Sequence, residues 1–97
     1  MTTFEWLSFR GDSIYNYVYH ENTEELSRSV GVAGVYHIPN KLKNHYRVNL
    51  SYRFNELVPR TAYIRHMKFP TLEAAKRAVE RKVPPLIAVL KIQGIQI

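Results

Sequence analysis

Residues 45 to 53, HYRVNLSYR, alternate strictly in character. On an extended chain Tyr46, Val48, Leu50 and Tyr52 project to one side, while His45, Arg47, Asn49, Ser51 and Arg53 project to the other. No other stretch constrains the fold as much. A strand with one apolar and one polar face belongs to an antiparallel sheet that is covered on a single side, so the chain must also supply the cover.

That cover is legible further along. In FPTLEAAKRAVERKVPP the period changes from two to about 3.6. Leu72, Ala75, Ala78, Val79 and Val83 form one apolar stripe, and Glu73 with Arg77 and Lys76 with Glu80 place opposite charges four apart on the wet side. Thr71, after Pro70, can cap the helix start, and Pro84 and Pro85 are expected to stop it. The alanines are small enough to let the helix lie close over a sheet.

Two more strands are expected beside the alternating one, which spans about 45 to 54. They are residues 32 to 38 and TAYIRHMKF, with PNKLKN and NELVPR as the turns. Upstream, TFEWLSFRGDSIYNYVYHE reads as a hairpin that turns at RGDS, using Gly11 and Asp12. NTEELSRSVG reads as a short helix capped by Asn22 or Thr23 and closed by Gly31. LIAVLKIQGIQI reads as a closing strand that pairs within the chain or with a second copy, as in a homodimer. The expected architecture is therefore α+β, a three-stranded antiparallel sheet packed on one C-terminal-side helix. Residues 1–30 form an N-terminal extension, 31–83 the core and 84–97 a C-terminal strand or tail.

A chain of 97 residues supports a single domain with one core. With no cysteine, disulfides and thiolate chemistry are excluded, and a reducing, cytoplasmic setting is expected. The longest apolar run, PPLIAVL, falls far short of the ~20 residues a spanning helix needs, so no membrane partner is expected. Nor does any motif point to an enzyme. Asp12 is the only aspartate, His20, His37, His45 and His66 lack ligand spacing, and neither a phosphate-cradling glycine loop nor a nucleophile elbow occurs. No catalytic residue, metal or cofactor is expected.

Charge points instead to a polyanion. The formal net charge is +6, and residues 1–30 carry two basic groups against five acids, whereas residues 31–97 carry twelve against three. Lys41, Lys43, Arg53, Arg60 and Lys68 fall at strand ends and turns, where phosphate contacts are expected. On the polar side of the alternating strand, Arg and Asn are the side chains that read guanine and adenine edges with two-pronged geometry.

Taken in order, GVAGVYHI, HYRVNL and MKFPTLEAAKRAV resemble the AP2 domain of plant transcription factors and its relatives in phage and homing-endonuclease proteins. The resemblance covers about residues 31 to 82, and the arm-binding domains of phage integrases are similar in topology. It implies a three-stranded sheet entering the DNA major groove, with Tyr36 on the first strand, Arg47, Asn49 and Ser51 on the second, and Tyr63 and Arg65 on the third. Two positions depart from the family: an arginine common in its first strand is Ala33 here, and a glycine before the phenylalanine is Met67. The implied function is a small phage or mobile-element DNA-binding protein, a transcription regulator or accessory factor acting on double-stranded DNA.

Two alternatives stand beside it. A helix near 22 to 30, three strands and a final helix is also the order of double-stranded-RNA-binding domains, and EAAKRAV resembles part of their last helix. The aromatic segment with Trp6, Tyr15, Tyr17 and Tyr19 would suit an inhibitor that docks on a host protein.

Overall fold

The structure, a computed structural model, describes residues 2–9, 14–39, 45–57 and 67–97. Its elements are β1 (Thr2–Phe9), β2 (Ile14–Asn22), β3 (Ser27–Ile38), β4 (His45–Leu50), α1 (Tyr52–Leu57), β5 (Lys68–Phe69) and α2 (Leu72–Ile92). The strands form one antiparallel sheet in sequence order, β1-β2-β3-β4-β5. Helix α2 covers one face of it. The α+β expectation holds, but the sheet has five strands rather than three, because the N-terminal hairpin pairs onto β3 instead of standing apart.

The alternation in β4 resolves as the sequence implies. Val48 and Leu50 are buried on the helix side with Tyr46 half-buried beside them, and Arg47 and Asn49 face the opposite way. From α2 come Ala75, Val79 and Val83, all fully buried, in the order the apolar stripe predicts. Thr71 caps the helix by accepting the Ala74 N–H at 3.1 Å.

Residues 22–30 are not a helix. β2 runs to Asn22, and Thr23 then closes a tight turn: its N–H donates to the Leu26 carbonyl at 2.7 Å and its Oγ1 accepts the Leu26 N–H at 2.9 Å. The hydroxyl that would have capped a helix serves the turn instead, a choice such side chains make equally well. From Ser27 the period is two, with Arg28 and Val30 half-buried and Ser27, Ser29 and Gly31 exposed. The pairing then jumps from Val18↔Gly31 to Tyr17↔Ala33, which leaves Val32 as the extra residue of a bulge. Its side chain is fully buried, so Val32 and Ala33 both enter the core, and its carbonyl accepts the Ser51 N–H at 3.0 Å.

The second expected strand ends early. After Leu50 the chain turns into α1, where the Asn55 N–H donates to the Ser51 carbonyl at 2.7 Å and Phe54 is fully buried. Of the third expected strand, only Lys68 and Phe69 are described as β5, paired with Arg47 and Tyr46. Residues 61–66 lie outside the described residues.

Pro84 and Pro85 do not stop α2, and the expected closing strand is helix instead. Each proline removes one amide donor, leaving the carbonyls of Glu80 and Arg81 without their helical partners. Both of these residues are exposed, so water can replace the lost donors, while Val83, Ile87 and Leu90 continue the buried stripe beyond the break. The helix ends instead at Gly94, whose φ of +74° favours glycine. There the Gly94 N–H donates to the Lys91 carbonyl at 3.0 Å and the Ile95 N–H to the Leu90 carbonyl at 2.9 Å. The chain then folds back and buries Ile97.

The N-terminal aromatics build one wall of the core. Tyr17 and Tyr19 are buried, Phe4 stacks on Tyr17 at 5.1 Å, and Trp6 lies 4.6 Å from the Tyr17 ring. Trp6 and Tyr15 both pack against this cluster, and Trp6 Nε1 donates to Glu80 of α2 at 2.9 Å. Among the described residues no helix is long and apolar enough to cross a membrane.

Candidate nucleic-acid interface

With α2 on one side, the other face of the sheet is left open among the described residues, and strand alternation decides what it carries. On β3, Ala33 and Val35 point into the core, so Gly34 and Tyr36 point out. Register then aligns them with their neighbours. Ile14, Tyr36, Arg47 and Lys68 are successive cross-strand partners from β2 to β5, and Leu7, Asn16, Gly34 and Asn49 are successive partners from β1 to β4. Further along the strands, His20 pairs with Ser29 at 2.7 Å and meets Glu5, diagonal to it on β1, at 3.2 Å. Cations thus collect at the β4–β5 edge, and Glu5 lies on the far strand.

A shallow cleft of about 480 Å³ opens between the first two rows, bounded by Ile14, Asn16, Gly34, Tyr36 and Asn49. At its floor Gly34 leaves β3 without a side chain, and the residue is itself buried. A Cβ at that position would lie 2.5 Å from Asn49 Oδ1 and 3.3 Å from Asn16 Oδ1, so both carboxamides lean over the glycine.

Of the residues expected from sequence to meet DNA, the structure brings Tyr36, Arg47, Asn49 and Lys68 together on this face. Ser51 lies just past the end of β4 and edges an adjoining hollow with Asn16 and Asn49. Arg53 does not join them: it sits on α1, and its Nη2 donates to the Gln96 carbonyl at 3.0 Å, tying down the segment after α2. Tyr63, Arg65, Lys41, Lys43 and Arg60 lie outside the described residues. Ala33, where the resembled family carries an arginine, is buried, so an arginine there would meet α2 and the core rather than a ligand. Sequence reasoning missed Asn16 and Gly34. Their signal was the alternation of Tyr15, Tyr17 and Tyr19 in β2, which turns Asn16 outward.

A second polar cluster lies on the helix side, between β2, β3 and the end of α2. Tyr19 donates to Glu21 at 2.6 Å, and Lys91 Nζ donates to the Tyr19 hydroxyl at 2.8 Å and lies 2.9 Å from Glu21. These hydrogen bonds hold the Glu21 carboxyl down to about 2 and raise Lys91 above its ordinary value. Burial raises the Tyr19 phenol, and so does its bond to Glu21, while Lys91 opposes the shift. Arg28 lies 3.5 Å from Glu21 and donates to the Ile97 carbonyl at 2.7 Å. The cluster pins the end of α2 to the sheet. No group of three His, Asp or Glu converges in metal-binding fashion among the described residues.

No family model, curated protein or solved structure matches the chain.

Proposed function

We propose that this protein binds duplex DNA through its open sheet face, with the β3–β5 part of the sheet seated in the major groove. The observation that carries the reading is the cross-strand row Tyr36, Arg47, Lys68, opposite the face covered by α2. Arginine offers a planar fork that matches a guanine edge or a phosphate, and lysine supplies a point charge for the backbone. Tyrosine adds apolar contact area with few torsions to immobilise.

Width limits how much of the sheet can enter. Strands lie about 4.8 Å apart, so three of them span about 10 Å between outer axes, within a major groove about 12 Å wide. Five strands span about 19 Å and exceed it. β1 and β2 therefore stay outside the groove, and Glu5 on β1 lies at the edge of the sheet opposite Lys68 on β5. A regulatory or accessory role in a phage or mobile element is the part of this reading that rests on the AP2 resemblance.

The RNA alternative required a helix before the three strands, and residues 22–30 supply a turn and a strand there. Docking through the aromatic segment is disfavoured because Tyr17 and Tyr19 are core residues.

The test is fluorescence anisotropy with a labelled DNA duplex across a salt series. Arg47→Ala is expected to weaken binding by about 1–3 kcal/mol if it reads a base, and Lys68→Ala to flatten the log–log salt slope by about 0.9. Unchanged affinity and slope in the double variant would reject the proposal. A tenfold preference for an RNA duplex would replace it with the RNA reading.

A further inference from the structure

The expectation that Asn49 meets DNA leaves open how its amide is positioned, and assigns no role to Asn16 or Gly34 beside it. We infer that Asn49, given room by Gly34 and confined on the other side by Asn16, reads the major-groove edge of an adenine; the inference rests on the duplex-DNA reading above.

The argument begins with what these amides do not do. Neither carboxamide makes a hydrogen bond within the described residues, although Asn16 is half-buried and sits between strands. Asn49 turns its Oδ1 towards Gly34 with no hydrogen bond to hold it there, so rotation about the last torsion presents donor and acceptor side by side in one plane. That pair matches the N6 amino donor and N7 acceptor of adenine, the two-pronged contact by which Asn discriminates bases.

Gly34 is what makes the arrangement possible. Asn16 springs from β2 and Asn49 from β4, about 10 Å apart between strand axes, yet both heads lie over β3 because the residue between them has no side chain. Any larger residue would occupy that space. An alanine Cβ would fall 2.5 Å from Asn49 Oδ1, so the carboxamide would have to swing away. Asn16 Oδ1, at 3.3 Å, must also give by a few tenths of an ångström, but Gly34 is not among the positive-φ glycines and both displaced atoms are the ends of flexible side chains. Alanine at this position should therefore leave the fold intact while moving Asn49 and, to a lesser extent, Asn16. Asn16, leaning in from the other side, confines Asn49 and acts as a positioning residue.

The experiment uses the full chain and a DNA pool with ten randomised base pairs. Wild-type protein selects from the pool, and the selected duplex is remade with 7-deazaadenine, which lacks N7, at each enriched adenine in turn. Wild type is expected to require adenine at one position and to lose roughly fivefold or more in affinity on that replacement. Asn49→Ala and Gly34→Ala are expected to bind the unmodified duplex more weakly and to be insensitive to the replacement. Their salt slope, which reports phosphate contacts, should not change. Asn16→Ala should show reduced sensitivity. Thermal unfolding establishes that Gly34→Ala is folded; should it not be, Asn49→Ala, which trims an exposed side chain, decides the matter. A wild type that selects sites without any adenine requirement, or an Asn49→Ala variant that keeps full sensitivity, overturns this inference and leaves duplex binding standing. A wild type that retains no duplex overturns both.

Discussion

Glu21 illustrates how a single side chain can carry the pH dependence of a fold. It accepts from Tyr19 and Lys91 at the junction of β2 with the end of α2, and its carboxyl is held at about 2 against an ordinary value of 4.5. A carboxyl whose folded value is depressed stabilises the native state fully above its unfolded value and loses that contribution as pH falls towards the folded one. Thermal midpoints measured across pH should therefore fall between about 4.5 and about 2. Glu21→Gln should lower the midpoint at neutral pH, and its difference from wild type should vanish near pH 2. A constant difference across that range would show that the carboxylate's charge is not what matters. Little of this cluster was legible in the sequence, because Glu21 and Lys91 meet only once α2 has crossed the sheet. The open-face residues Arg47 and Asn49 were legible, since alternation within one strand is a local property. Asn16 was less so, because the tyrosines flanking it drew attention to the face it does not share.

Elements were read correctly where two signals agreed and wrongly where one was ambiguous. The start of α2 has a cap and an apolar stripe pointing the same way. At residues 22–30, Thr23 offers a hydroxyl that suits a helix cap or a tight turn, and only the pairing of Arg28 and Val30 with β2 settles between them. At the other end of α2 the proline pair outweighed, in the reading, a stripe that continues through Ile87 and Leu90. Burial along that stripe carries the helix across the break and hands termination to Gly94. Gly94→Ala should therefore cost about 1–2 kcal/mol, the strain of an L side chain in a left-handed conformation. Chemical denaturation measures it directly. An unchanged stability would mean that the helix end frays without consequence for the fold.

Across the whole molecule a single core joins segments that the sequence divides into extension, core and tail. Tyr17 and Tyr19 from β2, Val35 and Val48 from the central strands, and Ile87, Leu90 and Ile97 near the end belong to one buried cluster. A fragment of residues 31–83, the span closest to the resembled AP2 unit, would leave Val35 and Val48 without these neighbours. It is expected to show no cooperative thermal transition by circular dichroism, and a sharp transition would contradict the single core. The number of strands was beyond the sequence, since each strand advertises its own faces but not which strands flank it. The meander also sets the order in which the molecule can be made. Each strand pairs with the one synthesised just before it, so the sheet can zip up as the chain leaves the ribosome. Its aromatic side stays unshielded until the helix that seals it has been translated. A stalled nascent chain cut short of that helix would therefore expose a sticky tyrosine-rich plane, and would be the species most in need of a chaperone.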